Sequence, residues 1–269
     1  MKLDVLGKQY DILGKKKLYL FDMDGTIYLE NALFDGVKEL FDIIDKTGGK
    51  YVFITNNSSK SVVDYVNKLK NMGLDVNENH FFTSTQAATM LFNKEFGDKL
   101  IYAQGTRSFI KELKNSGLNV TETYDKNANA VLLGFDPELT GEKLRNTCEM
   151  LTKHDIPYYA TNPDWVCPVD FGFIPDCGSM CFGIEKATGK MPIFIGKPQP
   201  TMINVVMEKF GISKEQTIVF GDRLYTDIAS GYNAGVDTVL VLSGEATMQD
   251  YENSEIKSTF VLNSVKDLL

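Results

Sequence analysis

Apolar residues in this chain gather into short continuous runs and helical stripes that alternate in a regular order. The run Leu18–Phe21 reads as a buried parallel strand. Val37, Leu40, Phe41 and Ile44 then repeat at helical spacing, and Gly48 stops the helix. YVFIT at 51–55 is a second strand. Val62, Val66 and Leu69 mark a second helix, closed by Gly73 and opened by a capping box of Ser61 and Asp64. This β-α-β-α order predicts a parallel sheet with right-handed crossovers. Near residue 84 another α/β set begins: helix 85–95, strand 99–104, a helix ending at Gly117, strand 130–136, helix 140–153, strand 157–162 and helix 179–187. The first pattern resumes with MPIFIG, a helix face of Ile203, Val206, Met207 and Phe210, strand 217–222, helix 226–234, strand 237–244 and a final TFVL. Residues 1–17 give only a faint edge-element signal. The pattern predicts an α/β core of residues 1–83 and 190–269, with a separate α/β domain, 84–189, inserted as a lid.

Composition narrows the function classes. The chain has 269 residues, 43% hydrophobic and 24% charged, as expected of a globular enzyme or binding protein. A net charge of −8 without a long basic run argues against a nucleic-acid partner. No apolar stretch approaches the roughly 20 residues that span a bilayer, and the N-terminus lacks the apolar centre of a signal peptide, so a cytoplasmic location is expected. Cys148, Cys167, Cys177 and Cys181 do not combine with His80 and His154 into a zinc-ligand spacing, which points to buried or free thiols rather than zinc. With two histidines in the chain, general acid–base work falls to carboxylates.

Candidate chemistry collects where the strands end. Asp22 and Asp24 follow the first strand, and Gly25 permits a sharp turn after them. Ligands of open α/β sheets gather beyond the carboxyl ends of the strands. Two carboxylates this close repel unless a cation or proton lies between them, and Mg²⁺ with a phosphate ester is the natural occupant. A calcium-loop reading fails because a strand precedes the acids and Leu33 stands where the closing glutamate belongs. A dinucleotide-binding oxidoreductase would need glycines where Asp22 and Asp24 put negative charge. Thr55-Asn56-Asn57, Gly196-Lys197-Pro198 and Gly221-Asp222 follow three further apolar runs. If these strands are parallel neighbours, all four clusters share one edge.

These motifs resemble the haloacid dehalogenase superfamily of phosphohydrolases over nearly the whole chain. DMDGT at 22–26 is similar to its first motif, Thr55 to its second, Lys197 to its third, and Asp222 with Asp227 in GDRLYTD to its acidic fourth. TNNSS, GKP and GDRLYTDI look like the NagD-like and p-nitrophenyl phosphatase branch, which carries a large α/β cap between the second and third motifs. The resemblance implies a Mg²⁺-dependent phosphatase of small-molecule phosphate esters that works as a monomer or homodimer. It makes Asp22 the nucleophile that forms an aspartyl-phosphate, and Asp24 the acid that later acts as base. It gives Thr55, Asn56, Asn57 and Lys197 to the phosphate. Asp22, the Asp24 carbonyl and Asp222 would hold Mg²⁺, with Asp227 behind them. Within the inserted domain, Asn162, Asp164 and the loop to Cys181 are candidates to face the substrate, while Trp165 and the nearby phenylalanines are expected to pack its core. A phosphomutase is disfavoured because residues 27–50 leave no room for a helical insert. A non-catalytic phosphate sensor is disfavoured because every motif residue is present.

Overall fold

The computed structural model describes residues 2–169 and 171–269, and the fold is mixed α/β, with parallel strands as its organising feature. It divides into two compact units. The chain up to Thr55, Val66–Phe82 and Lys197–Leu269 make the first; Asn56–Tyr65 and Thr83–Gly196 make the second. The loop after Thr55 thus groups with the second unit although it continues a strand of the first.

Six strands form the sheet of the first unit, in the order Phe260–Leu262, Asp237–Val241, Thr217–Gly221, Leu18–Phe21, Lys50–Thr55 and Phe81–Thr83. Pairings among the first five are parallel, with Phe21 beside Phe220 on one side and Phe53 on the other. Leu18–Phe21 is buried throughout, which explains its continuous apolar sequence. Aromatic rings fill the space between this sheet and the helix Val37–Lys46. Phe21 stacks on Phe220 at 4.6 Å, and Phe41 of the helix stacks on Tyr51 at 4.3 Å. Val37, Leu40, Phe41 and Ile44 are the buried face of that helix, as their spacing predicts.

The second unit has its own five-stranded parallel sheet, in the order Ile193–Phe194, Tyr158–Ala160, Ala130–Leu133, Ile101–Gln104 and Val120–Thr121. Its core packs Val131, Leu133, Met150, Leu151, Ile184, Cys177 and Cys181 together. All four cysteines are free thiols, and Cys177 and Cys181 are buried.

Three expectations need correction. MPIFIG does not rejoin the first sheet: its strand, Ile193–Phe194, pairs with Tyr158–Ala160 in the second. A short apolar run has the same period whichever sheet it joins, so its partner is invisible in sequence. The stretch after Trp165 is not simple loop; Val166–Val169 and Gly172–Pro175 pair as antiparallel strands. Trp165, Phe171 and Phe173 stand exposed here instead of packing the core: Cys167 and Ile174 turn inward against the core, and Phe173, the neighbour of Ile174, points to the opposite, uncovered face of the ribbon. The faint N-terminal signal proves to be a hairpin of Lys2–Leu3 with Gln9–Tyr10. Among the described residues no helix is long and apolar enough to cross a membrane.

Candidate active site

Asp22 continues the line of its strand, its amide donating to the Phe220 carbonyl at 2.8 Å. The chain then folds back tightly: Ile27 N–H donates to Met23 O at 3.0 Å, and Gly25 N–H to Tyr28 O at 2.8 Å. Gly25 has φ 83°, a left-handed conformation that favours glycine. A Cβ there would also lie 2.4 Å from Asp222 Oδ2. This one position therefore needs glycine both for the turn and for the neighbouring acid.

Lys197 is 2% exposed and binds three oxygens at the strand ends. Its Nζ donates to Asp22 Oδ1 at 2.5 Å, Asp227 Oδ1 at 2.6 Å and the Ile54 carbonyl at 3.1 Å. Asp227 is fixed through its other oxygen by Arg223 N–H at 3.1 Å. Gly221 lets it come close, since a Cβ at that position would lie 2.2 Å from the Asp227 Cβ. Asp222 has one oxygen held and one not. Its Oδ2 accepts from Glu245 N–H at 2.7 Å and is packed between Gly25 and Gly244. Its Oδ1 is buried without a hydrogen-bond partner.

Acidic groups crowd here. Asp22, Asp222 and Asp227 each offer a carboxylate oxygen within 4.8 Å of the others, and Lys197 is the ammonium among them. Burial drives the Asp22 carboxyl well above the usual carboxylate range; Lys197 opposes this, while Asp227 and Asp222 add to it. Burial, followed by the charge of Asp227, pushes Asp222 up to about 7. For Lys197 burial alone would favour the neutral amine, but Asp22 and Asp227 reverse that and hold it above its ordinary value. Among the described residues three carboxyls crowd around Lys197, with Arg223 relieving Asp222 in part, and a divalent cation would relieve that crowding in place of protons. The all-oxygen donor set and the orphaned Asp222 Oδ1 fit Mg²⁺.

Asp24 stands apart from that triad, more open to solvent than Asp22. Tyr28 OH donates to its Oδ2 at 2.9 Å, and Lys68 Nζ lies 3.8 Å from its Oδ1. The same ammonium sits 3.8 Å above the Tyr28 ring. Sequence reading missed both partners. Tyr28 follows Asp24 by four residues, and Lys68 is one of two lysines in its helix, so neither is singled out by sequence.

Thr55 ends the strand beside Leu18–Phe21 and is buried. Asn56 and Asn57 follow it in the part of the chain that packs with the second unit. Hydroxyls hold this loop by its carbonyls. Ser84 Oγ donates to Asn56 O at 2.6 Å, Tyr65 OH to Asn57 O at 3.2 Å and Thr106 Oγ1 to Ser59 O at 2.9 Å. In a trans peptide the C=O and the next N–H point in opposite directions. The grip on Asn56 O therefore aims the Asn57 amide the other way. The following helix starts at Val62, capped reciprocally by Ser61 and Asp64 as the sequence predicts. Asn162 and Asp164 lie inside the second unit, both essentially buried.

Two family models match the sequence: haloacid dehalogenase-like hydrolase over residues 19–119 and HAD-hydrolase-like over residues 194–268. The acid sugar phosphatase of Staphylococcus aureus strain MRSA252 is 32% identical over 252 residues, covering 94% of this chain and 95% of the relative. Among solved structures, 4-nitrophenylphosphatase from Thermotoga maritima matches with a TM-score of 0.90 and 41% identity, over 96% of this chain and 98% of that one. NagD from E. coli K-12 matches with a TM-score of 0.83 and 31% identity, over 95% and 100%.

Proposed function

The chain belongs to the haloacid dehalogenase-like hydrolase family and is a phosphoric monoester hydrolase of it, and from that premise we propose that it hydrolyses small-molecule phosphate esters through an aspartyl-phosphate on Asp22, with Mg²⁺ as cofactor. The observation that carries this reading is the cluster of three carboxyls around Lys197, with one buried Asp222 oxygen left unpartnered.

Asp22 offers the carboxylate that attacks phosphorus. Lys197, donating to Asp22 Oδ1, orients the nucleophile and places its positive charge where the phosphoryl oxygens gather. Thr55 and the amides of Asn56 and Asn57 hold those oxygens. As the ester bond breaks, Asp24 gives its proton to the departing alkoxide. It then takes a proton from the water that attacks the aspartyl-phosphate, releasing inorganic phosphate and restoring Asp22. Tyr28 keeps the Asp24 carboxyl aimed for both transfers. Asp22, the Asp24 carbonyl and Asp222 would hold the metal, and Asp227 supports them through Lys197 and Arg223 N–H. When bound, Mg²⁺ supplies charge that neutralises the phosphate approaching a carboxylate.

Substrate choice is assigned to segment 161–181. Within it Asn162 and Asp164 are buried, while Trp165, Phe171 and Phe173 are exposed. The S. aureus acid sugar phosphatase and the T. maritima 4-nitrophenylphosphatase bracket the candidates, from sugar phosphates to an aryl phosphate.

The test is phosphate release from a panel of such esters by wild type and Asp22→Asn, each with Mg²⁺ and with EDTA. Turnover that needs both Asp22 and the metal is the expected result. Undiminished turnover by Asp22→Asn would refute the mechanism. A wild type that binds phosphate but hydrolyses nothing would make the protein a sensor.

A further inference from the structure

Inside the second unit a run of side-chain hydrogen bonds ends on the proposed phosphate loop. It starts at Asp176, which caps the helix Cys177–Thr188. Asn162 Nδ2 donates to Asp176 Oδ1 at 3.0 Å and to Asp164 Oδ2 at 2.7 Å. Asn162 Oδ1 accepts from Thr161 Oγ1 at 2.8 Å, which fixes the orientation of the amide. Asp164 Oδ2 accepts a second amide, Asn56 Nδ2, at 2.9 Å. On the other side of Asn56 stands Gly196, where a Cβ would lie 2.4 Å from Asn56 Oδ1.

Every member is buried: Asn162 is 0% exposed, Asp164 2%, Asp176 4% and Asn56 6%. A carboxylate at such a depth is costly unless it is hydrogen-bonded. Two amide donors on one Asp164 oxygen meet that need. The backbone around Asp164 is equally constrained. Gly178 N–H donates to Asp164 O at 2.9 Å, and a Cβ on Gly178 would lie 2.2 Å from the Pro163 carbonyl oxygen. Asp164 is thus a fixed acceptor aimed at a loop residue more than a hundred positions away in sequence.

We infer that Asp164 is a positioning residue for the phosphate loop: it acts on the substrate's phosphoryl group only through Asn56, not by touching the leaving group. Asp164 sets which way the Asn56 amide faces. Together with the Ser84 hydroxyl on Asn56 O, it fixes the residue whose peptide presents the Asn57 amide. This rests on the phosphatase reading above. It yields a signature that neither substrate contact nor a purely structural role would give: the penalty for losing Asp164 is the same for every ester and disappears once Asn56 is already lost.

The experiment is a double-mutant cycle of Asn56→Ala and Asp164→Ala, reading kcat and KM on esters with different leaving groups, and inhibition by inorganic phosphate. Each single change is expected to lower kcat/KM about 10-fold, the scale of a charge-assisted hydrogen bond, with no change in the ranking of esters. Inorganic phosphate should inhibit more weakly by a similar factor. The double variant should match Asn56→Ala alone. Asp164→Asn keeps an acceptor oxygen for Asn56 and should stay within about threefold of wild type. If Asp164→Ala does not fold, Asp164→Ser replaces it, since its shorter side chain withdraws the acceptor from Asn56. Losses that multiply to about 100-fold, or a re-ranked ester panel, overturn the inference while the phosphatase reading stands. A wild type that hydrolyses none of the esters brings both down.

Discussion

Lys197 and Lys143 are both lysines drawn toward buried aspartates, one in each unit. Lys143 Nζ reaches Asp136 Oδ2 at 2.9 Å and the Gly105 carbonyl at 2.8 Å. One ammonium meets one carboxylate there, and the charges cancel. Burial still pushes the Asp136 carboxyl up, with Lys143 as the main opposing influence. Lys197 instead faces Asp22 and Asp227 directly, with Asp222 close by. Two parallel sheets thus carry polar groups beyond their strands with opposite outcomes. In the second unit the pairing is satisfied, so it holds the fold. In the first, three carboxyls crowd around Lys197, and the proposed cation and phosphate site rests on that crowding.

Replacing each lysine by methionine separates the two cases. Lys197→Met should lower kcat by about 10³-fold or more on folded protein, because it removes charge stabilisation from the reacting phosphoryl group. Lys143→Met should cost about 3–5 kcal/mol of stability by leaving Asp136 buried and unpaired, yet change kcat/KM per folded molecule less than about threefold. Urea denaturation read beside steady-state rates distinguishes them, and equal losses of activity would erase the contrast.

A smaller effect follows from the packing around Asp222. A Cβ at Gly244 would lie 2.0 Å from Asp222 Oδ2, so Gly244→Ala must displace that carboxylate. Mg²⁺ should then bind about 10- to 100-fold more weakly, as seen when the supports of a metal ligand are disturbed. Titrating activity against Mg²⁺ concentration checks this; an unchanged half-saturating concentration would remove Asp222 from the metal site.

Glu112 sharpens the comparison from the side of stability. Burial, with help from Asp64, pushes its carboxyl up to about 7, and its Oε2 is buried without a hydrogen-bond partner. Its native pKa lies above the unfolded value, so the native state holds the proton more tightly. Glu112 therefore costs nothing below the unfolded pKa, and its penalty grows as pH rises, reaching its full size above about 7. Glu112→Gln should stabilise the protein by about 1–3 kcal/mol at pH 8 and far less at pH 4. Thermal melts across that range check the sign, and a larger gain at acid pH would reverse it.

Much of this contrast was legible in the sequence. Asp22, Lys197 and Asp222 stand out as charges at the ends of apolar runs, with Asp24 and Asp227 a few residues downstream, and the structure brings Asp22, Asp222, Asp227 and Lys197 together. Tyr28 and Lys68 escaped because periodicity predicts the turn and the helix but not the tertiary contact that ties them to Asp24. The sheet joined by Ile193–Phe194 escaped because strand partners are set by tertiary packing. Asn162 and Asp164 were conspicuous as polar residues after a strand, but sequence alone does not tell a buried hydrogen-bond network from a substrate contact.

The most direct test of the central claim is to quench the reaction in acid during turnover and map any phosphoryl group to its peptide. The account predicts a phosphoryl group on Asp22 in the wild type and none in Asp22→Asn. Turnover with the label on another residue, or with no covalent phosphoryl-enzyme at all, would contradict it.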